Sequence, residues 1–227
     1  MRKVAVFDID GTLFRSSLLI ELVDALIQEG IFSPDVGKLY EKSYKDWLNR
    51  KDSYENYIWA VIMAFNSNIK GVPYGQFLEV AQKVVAFHKS RVYRYTRDLI
   101  QDLKKKNYFL LAISQSPKTV LDPFCEEFGF DKVYGRLYET DDKEIFTGNA
   151  MYDTLMQDKA KVLQRAVAKE GLTLKDSYGV GDTESDIPLL KLVEHPVCFN
   201  PNQKLYTYAK HAGWPIVVER KDVVYRL

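Results

Sequence analysis

The sequence predicts an α/β protein: a parallel sheet wound with helices on both faces, and a helical module inserted after the first strand. Three observations carry this expectation. Val4-Ala5-Val6-Phe7 is a continuous apolar run, the pattern of a strand buried on both faces. Beyond about residue 92, apolar strand-like runs alternate with amphipathic helical stretches, and such alternation builds parallel sheets with right-handed crossovers. Between the two, residues 16–91 show helical periodicity and no convincing strand.

The first strand ends in chemistry. Asp8 and Asp10 stand one residue apart, and Gly11 follows. Burying two carboxylates that repel is costly unless a positive charge lies between them. A hard cation with oxygen ligands answers that need. Alternate strand residues face opposite ways, so the two acids share a site only if the chain bends after Asp8; Gly11 permits the bend. Taken alone, Asp-x-Asp-Gly also fits an acidic turn that closes a surface strand.

The insert reads as four helices. Leu18, Leu19, Leu22, Val23, Leu26 and Ile27 recur at helical spacing, and Gly30 closes that helix. A second runs from about Val36 to Asn49. A third follows Ser53, a candidate N-cap, and carries Tyr57, Ile58, Val61, Ile62 and Phe65. After the break at Gly71-Val72-Pro73, a fourth runs from Tyr74 to His88. An aromatic stripe at helical spacing is core more often than ligand pocket. The predicted domains are therefore a core of residues 1–15 and 92–227 and a helical insert of residues 16–91, with Phe14 to Ser17 and His88 to Tyr93 as hinge candidates.

The core then continues element by element. Thr96 to Lys106 is an amphipathic helix whose three closing lysines suit its negative end. Tyr108 to Ile113 is a strand, and Pro117 opens a helix that reaches Gly129. Lys132 to Tyr138 and Ile145 to Thr147 flank an acidic turn and predict a hairpin. Asp158 to Lys169 is a helix, Ser177 to Val180 a strand, and Ile187 to Val193 a helix. Val197 to Phe199, a helix to Gly213, and Ile216 to Val218 complete the pattern.

Composition narrows the function. With 32 Lys+Arg against 31 Asp+Glu, a net charge of +1 offers no electrostatic case for nucleic acid or an anionic membrane as partner. No apolar run approaches the roughly 20 residues of a membrane span, and no signal-peptide pattern precedes Val4. Cys125 and Cys198 lack metal spacing and are expected as buried free thiols. A cytoplasmic protein is expected.

Ligands of such sheets bind beyond the carboxyl ends of the strands. Polar groups stand there at Asp8 and Asp10, at Ser114, and at Asp182 and Asp186, while Lys159 opens the helix that feeds the last strand. Each alone has an ordinary explanation as cap, turn or surface residue. Together, Asp8-Ile9-Asp10-Gly11-Thr12, Ser114, Lys159 and Gly181-Asp182-x-x-x-Asp186 resemble the four motifs of the haloacid dehalogenase (HAD) superfamily of phosphohydrolases. The insert is similar to the C1 cap of its phosphoserine-phosphatase-like branch, subfamily IB.

The resemblance implies a Rossmann-like core and a magnesium-dependent phosphatase acting on a small phosphorylated metabolite. Asp8 would be the nucleophile that forms an aspartyl-phosphate. Asp10 would protonate the leaving alcohol and then activate water. Magnesium would bind the Asp8 and Asp182 carboxylates and the Asp10 backbone carbonyl. Ser114 and the N–H of Gln115 would hold phosphate oxygens, and Lys159 would neutralise phosphate and Asp8. Thr12 would position groups around Asp10 at the phosphate end. Asp186, with Ser185 beside it, would act from behind by orienting Lys159 or a metal-bound water.

Two departures from that branch bear on the substrate. Ser17 stands where phosphoserine phosphatases carry a cap-entrance glutamate, and Val61 near their cap arginine. Arg15 and Ser17 become the specificity candidates, Ser185 replaces the usual Asn, and phosphoserine is expected to be a poor substrate. Phosphoryl transfer to another alcohol, or a non-catalytic regulator binding partners through the cap, are the alternative functions.

Overall fold

The chain begins with β1 (Arg2–Phe7) and leaves the sheet for four helices, α1 (Leu18–Gln28), α2 (Asp35–Leu48), α3 (Tyr54–Asn68) and α4 (Tyr74–His88). It returns through α5 (Arg94–Lys105), β2 (Phe109–Pro117), α6 (Lys118–Phe128), β3 (Lys132–Thr140) and β4 (Phe146–Met151). Next come α7 (Asp153–Met156), α8 (Lys159–Glu170) and β5 (Leu172–Gly181). A 3-10 turn over Glu184–Asp186 enters α9 (Ile187–Leu190), followed by β6 (His195–Phe199), α10 (Gln203–Ala212), β7 (Ile216–Arg220) and β8 (Val223–Arg226). This computed structural model describes all of residues 1–227.

The eight strands form one sheet in the order β4-β3-β2-β1-β5-β6-β7-β8. Its six inner strands pair in parallel, while β4 and β8 close the two edges antiparallel. The expected hairpin is the β3–β4 pair. The strand order reverses between β1 and β5, so the open crevice of the sheet lies beyond Phe7 and Gly181.

β1 shows why an unbroken apolar run was needed there. Val4 and Val6 point into a core with α8, α9 and α10, whereas Ala5 and Phe7 point into a second core with α5, α6 and the insert. All four are 0% exposed. Full burial of a Val or Phe side chain contributes about 1.5–3 kcal/mol, so a polar residue in this run would weaken both layers.

Several elements differ from the sequence expectation: β2 continues past Ile113 to Pro117 and β4 past Thr147 to Met151, α9 ends at Leu190 rather than Val193, and the four-residue α7 is an addition. β5 starts at Leu172, five residues before Ser177, because the strand passes an irregularity. Asp176 there adopts φ +56°, which breaks the alternation that marks a strand. β8 was not expected at all. It is a short, mostly exposed edge strand, and its burial pattern carries little periodicity.

The insert is tied to the core at three places. Leu13 and Phe14 run beside Val92 and Tyr93, with Arg15 N–H donating to Arg91 O and Tyr93 N–H to Leu13 O. The link between α3 and α4 pairs with the start of β4: Gly71 N–H donates to Phe146 O at 2.8 Å and Phe146 N–H to Val72 O at 3.0 Å. α1 and α4 pack on α6, and Phe65 of α3 meets Tyr138 of β3 edge to face. The insert's apolar residues therefore belong to the same core cluster as Phe7 and Phe124.

Candidate active site

The crevice beyond β1 and β5 holds the acidic groups. Asp8 leaves the strand while its N–H still donates to Val180 O at 2.9 Å. Lys159, the first residue of α8, is 5% exposed and reaches Asp8 Oδ1 at 2.7 Å and Asp186 Oδ1 at 2.5 Å. Burying an ammonium costs several kcal/mol, which two carboxylates in contact offset. Asp186 is 1% exposed, and its other oxygen accepts the N–H groups of Asp182 and Thr183 at 3.0 and 3.1 Å. It thus orients Lys159 and shapes the loop that carries Asp182.

Gly11 and Gly181 make this closeness possible. Gly11 has φ +80°, and a Cβ built on it would lie 2.1 Å from Asp182 Oδ2. A Cβ on Gly181 would lie 2.5 Å from the Asp186 side chain. Only residues without a side chain let the two loops pack their carboxylates this tightly.

Asp10 is held differently. Its Oδ1 accepts the Leu18 N–H at 2.5 Å, and its Oδ2 accepts the hydroxyls of Ser114 at 2.5 Å and Ser116 at 2.8 Å. Leu18 is the first residue of α1, whose N-cap Ser17 makes no side-chain cap bond. The Asp10 carboxylate and Ser116 Oγ, which accepts the Leu19 N–H at 3.2 Å, cap that helix instead.

Burial pushes the Asp8 carboxyl up to about 7, opposed by Lys159 and reinforced by Asp186 and Asp10. Burial likewise holds Asp182 well above the usual carboxylate range, and the neighbouring Asp8 and Asp186 charges add to it. Burial alone would lower Lys159, but the Asp186 and Asp8 carboxylates outweigh it and hold the ammonium charged. One oxygen from each of Asp8, Asp182 and Asp186 can be chosen so that all lie within 4.8 Å of one another. With a single ammonium among them, the cluster is short of positive charge.

Above the acids lies a cavity of about 1000 Å³. Asp8, Asp10, Gln115, Lys159, Asp182 and Ser185 line it, as does Ser17, which is 3% exposed. Ser114 is 0% exposed and sits behind Ser116, which takes the cavity wall. Thr12 and Arg15, like Ser114, do not reach the cavity. Thr12 is buried with a hydroxyl that has no partner, because the turn after Asp10 folds it inward. Arg15 is exposed, its guanidinium 5.1 Å above the Tyr93 ring, because the crossing segment directs it outward. Val61 is wholly buried in the insert's core.

Several wall residues escaped the sequence reading. Ser116 shares a strand face with Ser114, so period-two spacing could have flagged it. Arg136 on β3 is 8% exposed and donates to Gln115 Oε1 at 3.0 Å and Asp153 Oδ1 at 2.8 Å. Tyr54, Glu55, Glu184 and Lys204 also line the cavity, and nothing in their local sequence distinguishes them from surface residues.

A family profile for haloacid dehalogenase-like hydrolases matches residues 5–191, most of the chain and every motif residue named above. The chain belongs to the haloacid dehalogenase-like hydrolases. Among curated relatives, this hydrolase is 28% identical over 225 residues to a histidinol-phosphatase of Neisseria meningitidis serogroup C (strain 8013), covering 96% of this chain and 99% of that protein. It is 23% identical to a phosphoserine phosphatase of Archaeoglobus fulgidus, covering 90% of this chain and 54% of that one. Solved structures show the same fold. A Bordetella pertussis Tohama I protein of unknown function superposes with a TM-score of 0.72 at 22% identity, over 95% of this hydrolase and 98% of its own chain. A phosphoserine phosphatase does so with a TM-score of 0.63 at 21% identity, over 97% and 95%. No helix of the hydrolase is long and apolar enough to cross a membrane, and Cys125 and Cys198 are free and buried.

Proposed function

We propose that this hydrolase is a magnesium-dependent phosphatase that cleaves a small organic phosphate monoester through an aspartyl-phosphate on Asp8. The observation that carries the reading is the Asp8–Lys159 contact at 2.7 Å, at the floor of a cavity roofed by the insert. The names of the two curated relatives, a histidinol-phosphatase and a phosphoserine phosphatase, support the reaction class.

The cluster fits a divalent cation: three carboxylates converge against one ammonium, and Gly11 leaves the space that brings Asp182 in. Asp8 and Asp182 would hold it with the Asp10 backbone carbonyl, and magnesium would lend charge neutralisation to the transferring phosphoryl group. Asp8 supplies the attacking oxygen: its bond to phosphorus forms as the ester P–O bond breaks. Lys159 keeps its charge beside that oxygen and neutralises the phosphate. Asp10 gives a proton to the departing alcohol, then takes one from the water that attacks the aspartyl-phosphate, so phosphate is released and both acids are restored. Ser114 and Ser116 orient Asp10, Gln115 lines the phosphate end, and Asp186 holds Lys159 in place. The insert is the lid, and the two buried free thiols suit a cytoplasmic setting.

Release of inorganic phosphate from a panel including p-nitrophenyl phosphate, histidinol phosphate and phosphoserine tests the reading. Turnover that requires magnesium and stops on chelation is expected. A purified protein that releases no phosphate from any member with magnesium present would overturn it.

A further inference from the structure

The active-site cavity has two unlike ends. Its floor is built by the strand ends of the core and carries the acids and Lys159. Its far wall is one side of α3, where Tyr54, Ile58, Trp59 and Ile62 line the cavity together, as residues spaced by about one helical turn do. Trp47 extends this wall: its ring lies 5.2 Å from that of Tyr54, and it stacks on Tyr57 at 5.5 Å with the planes 11° apart. Trp59 faces the cavity with 56% of its surface exposed. An open aromatic wall beside a catalytic floor is a surface without an internal partner.

The charges around the wall are spoken for, except one negative charge. Besides Lys159, the cations that line the cavity are Arg136 and Lys204. Arg136 is held by Asp153 at 2.8 Å and Gln115 at 3.0 Å. Lys204 is shared by Glu184 at 2.5 Å and Glu55 at 3.4 Å, so two carboxylates face one ammonium. Glu55 is the only charged insert residue on the cavity, and the insert contributes no Lys or Arg to it.

A second anionic group on a substrate would lose water here and gain no free cation, so binding it would be disfavoured. An aromatic ring would bury its face against Trp59 and Tyr54. An amine would meet the surplus carboxylate of Glu55 and the indole faces. Resting on the phosphatase reading, we propose that the α3 wall is the leaving-group subsite and that it selects phosphate monoesters of alcohols bearing an aromatic ring, neutral or with an amine, against esters that carry a second anion.

The test compares kcat/KM of the enzyme with magnesium on 2-phenylethyl phosphate, 2-amino-3-phenylpropyl phosphate, ethyl phosphate, 3-phosphoglycerate and L-phosphoserine. Both aromatic esters are expected to exceed 3-phosphoglycerate and L-phosphoserine by at least about tenfold. Trp59→Ala, at a half-exposed position, is expected to lower the ratio of kcat/KM for 2-phenylethyl phosphate over ethyl phosphate by about tenfold, chiefly through KM. Equal or better turnover of 3-phosphoglycerate or L-phosphoserine would overturn the proposal, as would a ratio that Trp59→Ala leaves unmoved. In either case the phosphatase reading survives. If ethyl and p-nitrophenyl phosphate also release no phosphate, that reading fails and the proposal with it.

Discussion

Ser116 Oγ donates a 2.8 Å hydrogen bond to Asp10 Oδ2, the same oxygen that accepts from Ser114 two residues earlier on β2. The other Asp10 oxygen takes the Leu18 N–H of α1. Asp10 is therefore oriented jointly by the core and by the insert that roofs the site. Removing one such bond costs about 1 kcal/mol, or roughly fivefold in rate. Ser116→Ala should lower kcat on alkyl phosphates by about that factor and less on p-nitrophenyl phosphate, whose leaving group needs little protonation. Equal losses on the two ester types would show that Ser116 does not act through the acid.

Asp8→Asn should abolish turnover while leaving the fold intact, because an amide does not attack phosphorus. Loss of a nucleophile typically costs a thousandfold or more, and a loss of at least about that size is expected. Steady-state rates of the purified variant decide it; more than about a hundredth of wild-type activity would remove Asp8 from that role.

Gly11→Ala should damage metal binding more than its size suggests. The added Cβ falls 2.1 Å from Asp182 Oδ2 on a backbone at φ +80°, so the Asp182 carboxylate must retreat. The magnesium concentration for half-maximal activity should rise at least about tenfold. Asp182→Ala should move the same titration further. A curve unmoved by Asp182→Ala would mean that Asp182 is not a ligand.

Stability of the metal-free protein should depend on pH through Asp8. Its ordinary value is 3.8, and burial raises it to about 7 in the folded chain. Between those values the folded protein holds a proton that the unfolded chain lacks, so stability should fall as pH rises through that window. The loss is on the order of a few kcal/mol. Magnesium competes with that proton, so the rise in Tm on adding it should grow from pH 5 to pH 8. A magnesium shift independent of pH would separate the metal from Asp8.

Lid opening should be confined to part of the insert. The pairing of Gly71 and Val72 with Phe146 fixes the α3–α4 end on the β4 edge, whereas the start of α3 meets the opposite wall through the Glu55–Lys204 contact at 3.4 Å. Amide hydrogen exchange should be faster in the first turns of α3 than at Gly71 and Phe146. Uniform protection across the insert would argue for motion as one body or none.

What the sequence determined by itself is what local physics writes. An apolar run marks β1, three-to-four spacing marks the insert helices, and glycine after paired acids marks a turn that only glycine allows. The motif residues Asp8, Asp10, Lys159, Asp182 and Asp186 were legible because each sits at the end of an element whose direction the pattern already set. The tertiary structure decided the rest. It turned Ser114 toward Asp10 rather than into the cavity, sent Arg15 out onto Tyr93 and Thr12 inward, and built the cavity wall from α3. Glu55 and Lys204 meet across 149 residues of chain, and Arg136 meets Asp153 across a hairpin. Such contacts depend on how separate elements pack, and no periodicity within either segment encodes them.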